Sequence, residues 1–547
     1  MLKSLQNLPI FAIMKHRLYL IPLLVLLILS MANCAKKGSP SGGLKDSIPP
    51  VILRSFPENY TTNFNGNEIR IIFDEYIKLK DLQKNLIISP PLQYDPIITP
   101  YSTSKQIKIT ILDTLKENTT YSINFGQSIV DNNEENPFEY FKYVFSTGSY
   151  IDSLNVMGSA TDAQILSSKG RTNVMLYEVD DAFTDSIIYT QKPTYVTTVR
   201  DSAHSFELTN LKAGTYLMLA LNETNSDFIY QPKNDKIGFV NEFITLPTDS
   251  TFHIKLFKEI PDYSIARPSQ NSKNEILFGY EGEADSLQIE LLSDVPQDYK
   301  SVVYKDAIKD TLHYWYTPAF ERDSLVFVAK NRVHSDTIIM RIKELYADSL
   351  TVRNTAASVV LPRDSIRLQV NTPVTSVASE YVQVMNKDSV LIPSEFVLDR
   401  EYNIAAVVFP KTEEQSYAVQ LFPNAITDMF GKTNDTISYL VRTKAESDYG
   451  TLTLTLNNVR SYPVIVQLVN EKFEVIAQKV SWQQETAFFD YISPGMFYIR
   501  VIYDENKNGI WDTGSFLNRI QPEKVIYYPS KLEMRVNWSL NETFTLD

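Results

Sequence analysis

The sequence predicts an all-β protein built from several β-sandwiches in tandem, and three observations predict it. Apolar and polar residues alternate with a period of two over many short runs, as in strands with one face in a core. Aromatics reach 12%, with 32 Tyr and 28 Phe, against only 17 Gly; β-branched and aromatic side chains fit a pleated, half-buried surface. The length, 547 residues, exceeds what one hydrophobic core organises, so the chain divides into several domains.

The first element is a leader. Met14-Lys15-His16-Arg17 is basic, Leu18 to Leu29 is almost wholly apolar, and Ser30-Met31-Ala32-Asn33 follows. A basic start, a short apolar run and small residues at its end make up a secretory signal, assigned to residues 1–33. The apolar run is short for a membrane span. Cys34 is the single cysteine of the chain, so no disulfide forms within it. Its place after the apolar run resembles a bacterial lipoprotein signal, with Asn33 where Gly or Ala is usual. That resemblance implies that Cys34 is lipidated and becomes the first residue of the mature chain. Acyl chains bury about 0.8 kcal/mol per methylene, which anchors a protein to a membrane without spanning it. Residues 34–48, rich in Gly, Ser and Pro, read as a flexible tether.

Strands follow. NEIRIIFDEYI (67–77), KQIKITILDTL (105–115) and TTYSINFGQSIV (119–130) alternate, as do KYVFSTG (142–148), TYLMLALNE (215–223), DSLVFVAK (323–330) and TLTLTL (451–456). DLQKNLI (81–87) is at most one helical turn. In residues 49–148 the Pro-Pro opening, the strand Ile-x-Phe-Asp-Glu and the run Tyr-x-Ile-x-Phe … Ile-x-Asp … Phe-Ser-Thr resemble a bacterial Ig-like domain. That family implies a β-sandwich module that spaces or binds.

Residues 150–257 and 446–547 share an internal repeat. Gly214 aligns with Gly495, Tyr216 with Phe497, and Glu223, Asn225 and Asp227 with Asp504, Asn506 and Asn508, at a constant offset of 281. The motif Leu-x-x-Gly-x-Tyr before a long strand resembles transthyretin-like, carboxypeptidase-regulatory-type β-sandwiches. Residues 358–445 echo the Ig-like unit, with Tyr417 on Tyr121 and Asp428 on Asp131. A further β-rich domain fills 258–357. The predicted fold is thus tandem Ig-like and transthyretin-like β-sandwich domains after a lipoprotein signal peptide.

Candidate chemistry is sparse. In DENKNGIWDTG (504–514), Asp504, Asn506 and Asn508 alternate before Gly509, and Asp512 follows. This spacing matches the first half of an EF-hand-type calcium loop, but position 12 is Ser515 and not the bidentate Glu. Strands flank it, so the alternative is an Asx-stabilised turn. In the first copy Phe228 replaces the glycine and Gln231 replaces Asp512, so that loop is expected to form no comparable site. No other cofactor is indicated. The five histidines are scattered singly, and no HExxH or GxSxG motif is present, so the chain is read as no enzyme. The four tryptophans, Trp315, Trp482, Trp511 and Trp538, are core residues or a sugar-stacking surface, the former being the commoner role.

The triplet Asp-Ser/Thr-aliphatic (or Thr) recurs 14 times among 34 aspartates, where ordinary composition gives roughly two. It resembles the O-glycosylation acceptor of Bacteroidetes envelope proteins, which makes Ser47, Thr114, Ser153, Ser186, Ser286, Ser324, Thr337 and Thr436 glycosylation candidates. The same triplet also serves as a turn cap before a strand.

Net charge is −13 with no basic stripe, which argues against nucleic acid as a partner. The functional expectation is a non-catalytic, lipid-anchored scaffold, spacer or protein-binding module of a Bacteroidetes-type outer membrane. Its expected partners are the membrane, through the lipid anchor, and other envelope proteins. Ala-Lys-Lys-Gly after Cys34 favours the periplasmic face. The alternative is a glycan-binding lipoprotein of a nutrient-uptake system, followed by an envelope hydrolase.

Overall fold

The computed structural model describes residues 46–546 apart from 140, 167–169, 201–203, 226 and 320–321; the signal peptide, Cys34 and most of the tether lie outside the described residues. The described chain is almost entirely strand. Its one α-helix is the four-residue turn Leu82–Asn85.

The first sandwich has one sheet ordered Ile52–Phe56, Glu68–Leu79, Ser104–Thr110, Ile97–Thr99, faced by Ile87–Ser89, Thr120–Asn124 and Lys142–Ser146. Register places Ile69 on Ile109 and Ile71 on Ile107. The alternation in the sequence therefore puts every second side chain into one core with Phe73, Tyr121 and Phe145. The run 119–130, expected as one strand, is two. Gly126 at φ +55° turns the chain after Thr120–Asn124, and Ile129–Asp131 crosses to the opposite sheet beside Glu68–Leu79. A Cβ at Gly126 would also crowd the Asn85 carbonyl, at 3.1 Å, so the break is built around glycine.

The sheets of residues 352–442 repeat this arrangement with an added strand, Leu391–Ile392, and with Glu68–Leu79 split in two, Val374–Val377 pairing Ile426–Asp428 as Glu68–Leu79 pairs Ile129–Asp131. In both, a tyrosine hydroxyl accepts the backbone N–H five residues upstream: Tyr121 from Lys116 at 2.9 Å and Tyr417 from Thr412 at 2.7 Å. In both, a buried aspartate gathers the turn that follows. Asp131 takes four backbone N–H groups, from Asn133 to Asn136, and Asp428 takes those of Phe430 and Lys432. Burial opposes the charge of Asp131, but the amides win and hold its pKa below the usual range.

The two repeat copies also share one topology. A five-strand sheet, ordered Tyr195–Thr198, Thr172–Glu178, Gly214–Asn222, Lys236–Phe239 with Ile244–Leu246 also on Gly214–Asn222, faces Ser205–Leu211, Leu154–Asp162 and Thr251–Leu256, the last pair parallel. In the second copy Gly450–Asn457 pairs Ser539–Thr545 in the same parallel sense. The central strands are apolar on both faces. Along Gly214–Asn222, Tyr216, Met218 and Ala220 enter the sandwich's own core, while Leu217, Leu219 and Leu221 enter a second one. Continuous apolar strands of this kind are covered on both sides. Between the copies, residues 264–341 form a small sandwich with its own core around Phe278, Tyr314 and Phe327.

Candidate functional site: the Asp504 loop and the joint between the repeats

The Asp504 loop closes through its own hydrogen bonds. Asp504 is buried, and its two oxygens accept the N–H groups of Asn508 (3.0 Å) and Gly509 (2.9 Å). Gly509 sits at φ +79°, which aims both amides inward. The side-chain amides of Asn506 and Asn508 converge on one oxygen of Asp512, at 2.7 and 2.8 Å. Glu523, buried and missed by motif reading, completes the loop. It accepts Glu505 N–H at 2.8 Å and Asp512 N–H at 3.0 Å. Its pKa is raised, first by burial and then by the nearby charges of Asp512 and Asp504. Among the described residues no three His, Cys, Asp or Glu side chains cluster as metal ligands.

The first copy is wired in the same way, and here the expectation needs correction. Phe228, expected to resist the turn, takes φ +62° and donates its N–H to Glu223 at 2.9 Å, as Gly509 does to Asp504. A left-handed non-glycine residue costs on the order of 1 kcal/mol; packing of the Phe228 ring on the joint core offsets it. Asn225 donates to Gln231 at 3.2 Å, matching Asn506 on Asp512. Asp235 takes the N–H groups of Thr224 and Gln231, the two roles of Glu523. The two second-carboxylate residues do not share the 281 offset, so an ungapped alignment hides their equivalence.

Where the copies differ is the chain after the loop. In the first copy Leu219 faces Phe239, twenty residues on; in the second Arg500 faces Tyr527, twenty-seven on. The seven extra residues fall within a plug, residues 513–521, that enters the first copy. Phe516 is fully buried there, edge-on to Phe239 at 5.4 Å. Glu259 bridges the copies, accepting Phe516 N–H at 2.6 Å through one oxygen and the Tyr230 hydroxyl at 2.7 Å through the other. Thr513 donates to the Lys258 carbonyl, and Gln521 to the Phe239 carbonyl. Arg519 pairs with Asp185 and covers the Phe516 ring at 4.9 Å. Beside the plug, Arg500 and the Tyr527 hydroxyl both donate to the Gln164 carbonyl, at 2.7 and 2.6 Å. Trp511 packs on the same core, and its indole N–H donates to the Glu523 carbonyl at 3.1 Å.

The other candidate residues are dispersed. Ser47, Thr114, Ser153, Ser186, Ser286, Ser324, Thr337 and Thr436 are all exposed. Of their aspartates, Asp46 works as a turn acceptor, taking Ile48 N–H at 3.0 Å. The Ser286 hydroxyl is engaged by Asn331 at 2.8 Å. Trp315 is buried against Phe430, whereas Trp482 and Trp538 are exposed on separate elements, Trp538 under Arg535. His313, single in the sequence, stands between two carboxylates, Glu275 at 2.6 Å and Asp306 at 3.3 Å, and stacks on Tyr304. Burial lowers its pKa, but the two carboxylates outweigh that and the net shift is upward. Both ring nitrogens of His313 are thus engaged by carboxylates in a half-buried cluster.

Residues 46–147 match the family model of the bacterial Ig-like domain, so the first sandwich is of that type. No curated protein matches the chain. Among solved structures, domains 1–6 of the surface layer protein SbsC share 12% identity over 89% of this chain and 67% of that one, with a TM-score of 0.14. The Bacillus anthracis TIE protein shares 10% over 92% and 76%, at 0.14. The major pilin subunit BcpA of Bacillus cereus shares 10% over 72% and 98%, at 0.13. Scores this low are far from a shared whole-chain arrangement.

Proposed function

We propose that the protein is a non-catalytic scaffold or spacer of the bacterial cell envelope, held on the outer membrane by a lipid on Cys34 and engaging other envelope proteins. The observation that supports this reading is the joint. Two copies separated by 281 residues are pinned together by Phe516, Glu259 and Arg519, and the polar groups of the Asp504 loop are spent on backbone amides and on one another. Such side chains set the geometry of a chain; they do not present a reactive group to a substrate. In this reading the Asp504 loop is a structural turn that positions the plug. A rise in unfolding midpoint with millimolar calcium, absent in Asp504→Ala, would instead make it an ion site.

The lipid anchor is tested by Cys34→Ala, which is expected to move the protein from the membrane to the soluble fraction of the native host. A variant that stays with the membrane overturns the anchor. Affinity purification from detergent-solubilised membranes then tests the scaffold reading: recovery of stoichiometric envelope proteins supports it, and recovery of the chain alone opposes it. The periplasmic face is proposed from Ala-Lys-Lys-Gly after Cys34, and protection from protease in intact cells checks it.

A further inference from the structure

A groove of about 700 Å³ opens where the first sandwich meets the second. The two are in direct contact there: Val196 N–H donates to the Ser89 hydroxyl at 3.1 Å. Among the described residues four cations line the groove, Lys84, Lys142, Arg171 and Arg200, against one carboxylate, Glu207. In a chain of net charge −13 that is a local reversal of sign.

Two of these cations are not neutralised by their neighbours. Among the described residues neither Lys142 nor Arg171 has a carboxylate at ion-pair distance. Lys142 Nζ donates to the Thr209 hydroxyl at 2.5 Å. Arg171 donates Nε to the Thr198 hydroxyl at 3.0 Å and Nη1 to the Lys84 carbonyl. Its remaining nitrogen, Nη2, is buried without a hydrogen-bond partner. Glu223 acts on Arg171 only through space, since its oxygens are held by Asn173 and Phe228. Burial lowers the pKa of both Lys142 and Arg171, outweighing the opposing pull of Glu207 on the first and Glu223 on the second. An anion entering the groove would offset the cost of burying these cations through its charge.

The rest of the lining selects among anions. Asn85, Asn124, Gln127, Thr197 and Thr198 also line the space, with Ile87 and Val199 as its large apolar residues. Amides and hydroxyls both donate and accept, which suits the hydroxyls of a polyol. The volume is that of a small-molecule site.

We propose that this groove binds a small anionic polyol, a sugar bearing a phosphate or a carboxylate, with Arg171 and Lys142 on the acidic group and the amides on the hydroxyls. The site is independent of the scaffold reading and of the lipid anchor.

The test is titration calorimetry of the full chain with glucose 6-phosphate, glucuronate, inorganic phosphate and glucose at matched ionic strength. At least one of the two sugar acids is expected to bind, with inorganic phosphate weaker and glucose silent. Glucose 6-phosphate alone identifies the acidic group as phosphate, and glucuronate alone as carboxylate. Arg171→Gln should weaken binding about tenfold or more, the loss of one charge-assisted bond. Because Arg171 is half-buried, the exposed Lys84→Glu serves as a second variant with little risk to folding, and should weaken binding severalfold. Arg535→Gln, on the last sandwich, should leave it unchanged. Silence from both sugar acids at about 10 mM, equal affinity in Lys84→Glu and the natural chain, or equal binding of glucose overturns the proposal. Inorganic phosphate binding as tightly as glucose 6-phosphate overturns its polyol half.

Discussion

Replacing Phe516 by alanine tests whether the plug holds the two copies together. The ring is fully buried, and deleting a buried Phe costs about 3–5 kcal/mol in transfer and cavity terms. Its edge-on contact with Phe239 adds about 0.5–1.5 kcal/mol, and the Arg519 cation over its face adds about 0.5–1 kcal/mol. Partial collapse of the site offsets part of this sum, so about 4 kcal/mol is a working figure. None of it belongs to the core of the last sandwich, which is built from Leu454, Val466, Phe489 and Ile499 without Phe516. The loss therefore falls on the joint, and its opening equilibrium shifts by about a thousandfold. Amide hydrogen exchange reads this directly. Peptides covering 513–521, including the Phe516 N–H held by Glu259, should exchange up to about a thousandfold faster, while strand Gly450–Asn457 keeps its protection. Unchanged exchange in the plug would refute the reasoning. So would equal loss of protection in Gly450–Asn457, which would make Phe516 part of that sandwich's own fold.

Gly514→Ala should weaken the same joint, because a Cβ there would lie 2.6 Å from both the Phe257 ring and the Ile520 carbonyl; overpacking of this kind costs about 1–3 kcal/mol, and an unchanged urea midpoint would show that the plug has room to shift. The raised pKa of His313 means that the folded state binds its proton more tightly than the unfolded state. Its stabilisation is therefore complete below the unfolded value of about 6.5 and is lost as pH rises through the folded value. Melting of the natural chain should fall with pH across that window, and His313→Gln should flatten the profile; parallel profiles would remove His313 from the account. The exposed Ser and Thr of the Asp-Ser/Thr triplets predict glycans in the native host, so the intact mass should exceed that of the lipidated polypeptide; an unmodified mass would leave only the turn role.

Much of the architecture was legible because it rests on local periodicity. Ile69, Ile71 and Phe73 alternate with polar residues because one face of their strand meets a core, and that pattern survives in a linear reading. The Gly214–Gly495 offset exposed the repeat, and Tyr417 and Asp428 marked the second Ig-like unit through the roles they share with Tyr121 and Asp131. The candidate loop was legible as a coil of alternating oxygens around Asp504. Its function was not, because Glu523 and Asp235 do equivalent work from non-equivalent positions. Phe228 showed the limit of propensity: burying a large ring against the joint outweighs the local cost of a left-handed backbone.

Sequence alone determined the strands, their inward faces and the recurrence of two sandwich types, since each follows from side-chain alternation and short-range turn chemistry. The run TYLMLALNE reads as simple alternation, yet Leu217, Leu219 and Leu221 bury the second face of their strand. What covers that face was decided only in three dimensions, by Phe516 nearly three hundred residues away and by a seven-residue insertion with no motif. The groove likewise assembles Lys84, Lys142, Arg171 and Arg200 from segments spread over more than a hundred residues, and no basic run marks it. Burial and charge at a joint depend on which surfaces meet, and a linear pattern records only that a surface is apolar or charged.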